Sequence, residues 1–236
     1  MEVDSYWDGT LSLKQFIAAA HTFAEKWKRI NSASPPWSWI NAPKRPYVAS
    51  QQKDSCRWRR CVFLFLRIIM IIVIAPGKKR SISLGRKRQL TMMPLCSHHQ
   101  VHYYDFHIVY SNSYRVPVLY FRGYCSDGRP LQLNEIEKDL PTCSAKVLLE
   151  SKWTFITQEE HPYLNRPWHK LHPCGTSEWM RLLFLGDAVS AEKRVAIELY
   201  LVSWFSVAGQ VISLRIPIEM RHLVQKFLFK NYHRTK

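Results

Sequence analysis

Between Asp54 and Asp105 this 236-residue sequence contains no acidic residue, while ten Lys and Arg fall in the same stretch, from Arg57 to Arg88. Subtracting those ten from the net charge of +16 leaves +6 for the rest of the chain, an ordinary surplus. The basic character is local, which argues against a chain-wide surface for nucleic acid or anionic membrane. Order among the cysteines is missing too. Cys56, Cys61, Cys96, Cys125, Cys143 and Cys174 show no CxxC pair and no framework spacing, and no signal-peptide pattern opens the chain. That excludes a disulfide scaffold and makes a reducing, cytoplasmic setting the expectation. The sequence has no HExxH, no GxSxG and no phosphate-cradling glycine loop, so zinc-protease, serine-hydrolase and P-loop chemistry are excluded. Cys96, His98, His99 and His102 lack the spacing of a structural zinc site, and no metal is expected. The run from Val62 to Ala75 is apolar but only 14 residues long and broken by Arg67. A membrane span needs about 20 apolar residues, so no stable span is expected.

What is present is material for a core. The chain is 47% apolar and 13% aromatic, enough for a single folded domain over 1–236. A helix is predicted over 12–30. Ser12 and Gln15 have capping-box spacing, Leu11 and Phe16 can staple across them, and Leu13, Phe16, Ile17, Ala20, Phe23, Ala24 and Trp27 recur at helical spacing. The prolines of "NSASPPWSWINAPKRP" end it. Residues 50–101 differ from the rest, and the expectation is a basic, apolar insert or an aberrant segment produced by splicing or reading frame. From Tyr103 the pattern becomes regular. Tyr104, Phe106, Ile108 and Tyr110 alternate along one strand, "SNS" turns the chain, and "YRVPVLYFRGY" makes a second strand in which Pro117 implies an edge position or a bulge. After the turn "SDGRP", "LNEIEKDL" predicts a short helix capped by Asn134, and "KWTFIT" a further strand. "RVAIELYLVSWFSVAG" is apolar on most sides, as a buried helix is, and Gly209 should stop it. Residues 220–236 form a basic tail.

The stretch "ITQEEHPYLNRPWHKLHPCGT" carries three X-Pro steps, at His161-Pro162, Arg166-Pro167 and His172-Pro173. Each fixes a proline φ and pushes its predecessor out of the helical region, which predicts a stiff extended loop. Gly175 permits an unusual turn directly after Cys174, and Thr176 can cap the helix that follows. A thiol at a helix N-terminus meets the positive end of the dipole, which favours the thiolate, and backbone N–H groups there can receive an oxyanion. Taken alone, a cysteine after proline fits a buried structural position as well as a reactive one. Cys125 and Cys143 suit core or strand positions, and the histidines of "HYYDFHIVY" suit the strand surface.

Four blocks, "YDFHIVYSNSYRVPVLYFRGYCSDGRPL", "SKWTFITQEEHPYLNRPW", "LHPCGTSEWM" and "YLVSWFSVAGQVISLRIP", together resemble the autophagy-related protein ten family of ubiquitin-like-conjugating enzymes, its plant members above all. The order EHP then HPC is also similar to the sister family, autophagy-related protein three. The resemblance covers 1–48 and 102–219. It implies an α+β, ubiquitin-conjugating-enzyme-like fold, an antiparallel sheet flanked by helices. It implies that Cys174 forms a glycyl thioester with the ubiquitin-like autophagy-related protein twelve, received from the activating enzyme autophagy-related protein seven. The cargo would pass to a lysine of autophagy-related protein five during autophagosome formation, with strands around Tyr104 to Tyr124 as the acceptor's platform. No cofactor is implied, because nucleotide is consumed by the activating enzyme. Ordinary ubiquitin-conjugating enzymes place an oxyanion-stabilising asparagine in a His-Pro-Asn motif. Here His161-Pro162 is followed by Tyr163, so His161, Asn165, His172 or the N–H groups after Cys174 are the candidates. In the family the stretch matching 50–101 is polar and acidic, a departure that leaves a non-catalytic interaction protein as the alternative. A basic nucleic-acid or membrane-surface binder is the third reading.

Overall fold

In the computed structural model the chain is described over residues 7–31, 35–41, 62–73, 81–84, 99–150, 155–184 and 190–222. Its elements are α1 (Leu13–Ile30), β1 (Ser38–Asn41), β2 (Val62–Val73), β3 (Ser81–Leu84), β4 (His99–Ser111), β5 (Val116–Cys125), α2 (Leu133–Asp139), α3 (Thr142–Glu150), β6 (Ile156–Glu160), β7 (Pro167–Leu171), α4 (Thr176–Leu183) and α5 (Ser190–Val211). The fold is the expected α+β arrangement. A seven-stranded sheet runs in the order β1-β2-β4-β5-β7-β6, and β3 also pairs with β2. Every pairing is antiparallel. Because β4 fills one edge of β2 from Phe63 to Val73, β1 and β3 share its other edge end to end.

The alternation of β4 sorts its side chains onto two faces. Phe106 and Ile108 are fully buried on the helix side, with Tyr110 beside Phe16 of α1. Phe23, Trp27 and Trp37 surround Phe205 of α5 at ring distances of 5.4, 6.1 and 5.5 Å, so α1 and α5 pack together over the sheet. Ser12 caps α1, receiving the Gln15 N–H while the Gln15 side chain returns a bond to the Ser12 N–H. That capping box is as the sequence predicts. Pro117 is buried on β5 opposite Tyr110, outside the short segment where β7 pairs with β5, so its missing N–H costs no ladder bond on that side.

Several local expectations fail for identifiable reasons. The loop predicted around Cys174 is largely the β6–β7 hairpin, with Pro162 in its turn and Pro167 at the first position of β7, where proline is tolerated. Gln132, not Asn134, precedes α2, and its N–H donates to Glu135. The nine-residue α3 has no counterpart among the elements read from the sequence. Gly209 does not stop α5. Its carbonyl accepts the Leu214 N–H at 2.8 Å, the Gln210 carbonyl accepts the Ser213 N–H at 3.2 Å, and Ser213 takes φ 62°. This is a Schellman closure with serine in the left-handed position.

Within 50–101 the described residues are β2, β3 and the start of β4, and β2 lies inside the sheet. Leu66 is fully buried, and Arg67 on the opposite face grips Asp105 with two bonds of 2.6 and 2.8 Å. Cys56, Cys61, Cys96 and the basic clusters Arg57–Arg60, Lys78–Arg80 and Arg86–Arg88 lie outside the described residues, as does the tail after His222. His102 and His107 are buried rather than at the strand surface. His102 Nδ1 lies 2.6 Å from an Asp139 carboxylate oxygen, which also accepts from the Tyr104 hydroxyl at 2.7 Å. Cys143 is exposed on α3, and Cys125 is half-buried at the end of β5. Among the described residues no helix is long and apolar enough to cross a membrane.

Candidate active site

Backbone chemistry places Cys174 between a strand end and a helix start. β7 ends at Leu171, and the His172 N–H donates to the Phe155 carbonyl at 3.1 Å, carrying the hairpin one residue further. The Thr176 N–H then folds back to the Pro173 carbonyl at 3.1 Å. Gly175 adopts φ 75°, and a Cβ added there would meet no atom within 4 Å, so the left-handed turn and not crowding calls for glycine. It is Gly175, not Thr176, that stands at the N-cap. Its carbonyl accepts the Trp179 N–H at 3.1 Å to open α4, and Thr176 is a buried first residue of the helix.

Cys174 is a free, exposed thiol one residue before that cap. Its own N–H donates to His172 Nδ1 at 3.3 Å. An accepting Nδ1 requires the neutral imidazole with its proton on Nε2. The edge of the Tyr114 ring, from the β4–β5 turn, packs on His172 at 6.1 Å. The first-turn N–H groups of Ser177 and Glu178 have no intrahelical acceptor, as at any helix start, and they share the end of α4 that Cys174 precedes. A cavity of ≈ 150 Å³ opens beside the thiol. Cys174, His172 and Pro173 take part in its lining, with residues of β5, Phe155, Trp179 of α4 and Trp204, Val207 and Ala208 of α5.

An N-terminal strap, residues 7–11, bears on the same helix. The Trp7 ring lies 5.8 Å from both Phe184 and Tyr200, and the Tyr200 hydroxyl donates to the Gly9 carbonyl at 2.8 Å. The Leu11 N–H donates to the Arg115 carbonyl at 2.8 Å, tying the strap to the β4–β5 turn. Gly9 sits against the first turn of α4 so closely that a Cβ would lie 1.8 Å from the Ser177 carbonyl oxygen.

Of the three orienting candidates, only His172 adjoins the thiol. His161 and Asn165 belong to the β6–β7 turn, at the Glu160–Pro167 end of the hairpin, whereas Cys174 follows the Ile156–Leu171 end. Four residue steps separate the two ends, roughly 13 Å of strand, so neither His161 nor Asn165 reaches Cys174. Asn165 instead takes φ 49° and helps close the turn, across which the His161 N–H donates to the Arg166 carbonyl at 2.8 Å. His161 is fully buried. Its Nδ1 accepts the Tyr163 N–H at 3.2 Å, so its Nε2 carries the proton and donates to His107 Nδ1 at 2.9 Å. Burial holds His161 down at about 4; burial and then the neighbouring His161 hold His107 down at about 3. Both imidazoles are therefore neutral, and with Trp168 and Tyr120 they form a second small core on the far face of the sheet. Sequence reasoning does not place Tyr114, Trp179 or Trp204 at the site. Only Tyr114 left a signal, an aromatic set in a polar turn.

From residue 15 to residue 219 the chain matches the family model described as autophagocytosis associated protein, active-site domain. The ubiquitin-like-conjugating enzyme ATG10 of Arabidopsis thaliana is 49% identical over 223 residues, covering 90% of this chain and 96% of that protein. The ubiquitin-like-conjugating enzyme ATG10 of Homo sapiens is 44% identical over 115 residues, covering 49% of this chain and 50% of its own. Autophagy-related protein 3 of Pichia angusta is 35% identical over 92 residues, covering 39% of this chain and 25% of that protein.

Proposed function

Because the chain belongs to the autophagocytosis-associated active-site-domain family and is a ubiquitin-like-conjugating enzyme of autophagy, we propose that Cys174 is its thioester-forming nucleophile. The carrying observation is the placement of this free, exposed thiol immediately before the N-cap of α4. The Cys174 thiolate attacks the thioester carbonyl of the activating enzyme's charged cysteine. A new Sγ–C bond forms, the old C–S bond breaks, and the activating enzyme's thiolate leaves with the electron pair. In the second half-reaction a neutral lysine amine attacks the Cys174 thioester, and Cys174 leaves as the thiolate while the amine's proton passes to solvent.

Both halves pass through a tetrahedral oxyanion, which needs donors already aimed at it. The Cys174 N–H is held by His172 and the Thr176 N–H by Pro173. The N–H groups of Gly175, Ser177 and Glu178 are accordingly the oxyanion donors in this reading, replacing the absent asparagine side chain. His172 acts as a positioning residue that fixes the Cys174 backbone. The modifier is the ubiquitin-like autophagy-related protein twelve, the activating enzyme autophagy-related protein seven and the acceptor autophagy-related protein five, each carried over from the likeness to ATG10 proteins. Among the described residues no group of His, Cys, Asp or Glu could hold a metal ion, and no step above calls for one.

Incubation with the activating enzyme, ATP and the ubiquitin-like protein, followed by non-reducing electrophoresis, tests this reading. A thiol-sensitive adduct that becomes a thiol-resistant ester in Cys174→Ser supports it. An unchanged thiol-sensitive adduct in Cys174→Ser would place the nucleophile on another cysteine.

A further inference from the structure

We propose that the cavity beside Cys174 is the subsite for an aromatic or large aliphatic side chain in the C-terminal tail of the ubiquitin-like protein, on the residue preceding the acylated one. The inference rests on Cys174 being the thioester nucleophile. Cys174 is itself part of the cavity lining, so a chain joined to its Sγ as a thioester begins beside the cavity. The next residue along that chain is one Cα step away, about 3.8 Å, which brings its side chain within reach of the cavity.

The lining specifies what enters. Pro117, Leu119, Phe155, Trp179, Trp204 and Ala208 supply apolar surface, and no Asp, Glu, Lys or Arg takes part. A charged side chain placed there would lose its water without gaining a partner. The volume is ≈ 150 Å³, and a dry apolar cavity of roughly that size accommodates a benzene ring. An alanine side chain would leave most of it empty. The rim continues the same character outward. Val207 of α5, part of the lining, is 48% exposed, and Tyr114, packed on His172, is 47% exposed. Apolar surface thus runs from solvent past the thiol into the cavity, and a tail segment held there would keep its thioester carbonyl at the start of α4. Three elements distant in sequence, β5, α4 and α5, converge to build it.

The test uses the full chain and a series of acetyl-Xaa-Gly thioesters of mercaptoethanesulfonate, with Xaa as Phe, Leu, Ala or Asp. Acylation of Cys174 is followed by intact and peptide mass spectrometry. In each reaction the Cys174 thiolate adds to the carbonyl, the Sγ–C bond forms, and mercaptoethanesulfonate leaves with the electron pair of the broken C–S bond. The Phe and Leu probes should react at least about tenfold faster than Ala, with Asp slowest. Filling the cavity with Ala208→Leu should collapse the Phe-to-Ala ratio to within about twofold. Val207→Glu, at a half-exposed position where folding is not threatened, should lower the same ratio. Equal rates for all four probes at Cys174 would overturn the subsite while leaving the nucleophile in place. A ratio unmoved by either variant would do the same. Acylation that bypasses Cys174, and persists in Cys174→Ser, would refute the nucleophile and the subsite with it.

Discussion

Replacing Gly9 with alanine perturbs the strap and the helix that follows Cys174 together, and the structure sets the size of the effect. Gly9 has φ 78°, a left-handed conformation that costs a residue with a Cβ about 1 kcal/mol. Gly175 has nearly the same φ, 75°, but no atom within 4 Å of its would-be Cβ, so Gly175→Ala isolates that conformational cost. At Gly9 the added carbon would also fall 1.8 Å from the Ser177 carbonyl oxygen and 2.9 Å from the Arg181 nitrogen, both backbone atoms of α4. The strap must then withdraw. Withdrawal breaks the bond from the Tyr200 hydroxyl to the Gly9 carbonyl, worth about 1 kcal/mol or more when buried. It also loosens Trp7 from Phe184 and Tyr200, about another 1 kcal/mol of ring contact. The sum is about 3 kcal/mol for Gly9→Ala against about 1 kcal/mol for Gly175→Ala. For a chain of this length these correspond to falls in Tm of roughly 6–12 °C and roughly 2–4 °C. Calorimetry on the two variants decides the matter. Equal melting temperatures would show that the strap does not bear on α4. If it does, adduct formation at Cys174 should fall in Gly9→Ala even at temperatures where the variant remains folded, because the withdrawn strap no longer braces the first turn of α4.

Other consequences follow from the far face of the sheet. His107 and His161 have their folded-state values lowered, to about 3 and about 4, from an ordinary 6.5, so the unfolded chain binds protons that the folded chain refuses. Their stabilising contribution is complete above about pH 6.5 and declines as pH falls toward 4, at about 1.4 kcal/mol per pH unit for each histidine. Urea midpoints measured between pH 7.5 and 4.5 should show that decline, and His161→Gln should flatten it; a His161→Gln profile parallel to the wild type would contradict the buried neutral pair. The bridge from Arg67 to Asp105 tests the place of β2, since its arginine comes from the compositionally distinct segment 50–101. A double-mutant cycle with Arg67→Ala and Asp105→Asn should return a coupling of about 1 kcal/mol in thermal stability. Zero coupling would mean that the Arg67–Asp105 bridge contributes nothing to the hold of β2 on β4.

Much of the frame was legible because it depends on short-range chemistry. Ser12 and Gln15 cap α1 within one turn, the alternation from Tyr104 to Tyr110 selects the buried face of β4, and Gly175 supplies the left-handed step before α4. Proline misled where its position within an element mattered. Pro162 and Pro167 mark the turn and the first residue of a hairpin, yet in sequence they suggest a loop. Gly209 misled likewise, because α5 closes through Ser213, whose left-handed backbone nothing nearby announces.

The candidate site divides along the same physical line. The local setting of Cys174 is written in the chain around it. A proline before Cys174, a glycine after it and a helix start three or four residues long in its effects are all fixed by neighbours along the chain. Tertiary structure decided which partners surround that group. Antiparallel pairing sends His161 and Asn165 to the opposite end of the hairpin from Cys174, although they lie close to it in sequence. It brings Tyr114, Trp179 and Trp204, separated by long stretches of chain, to the thiol and its cavity. It also keeps two histidines neutral by burying them beside Trp168. Caps, prolines and left-handed glycines act through one or two residues' dihedral angles, so a sequence displays them. Cavities and buried charge states depend on what other strands and helices bring near, and only the register of the sheet sets that.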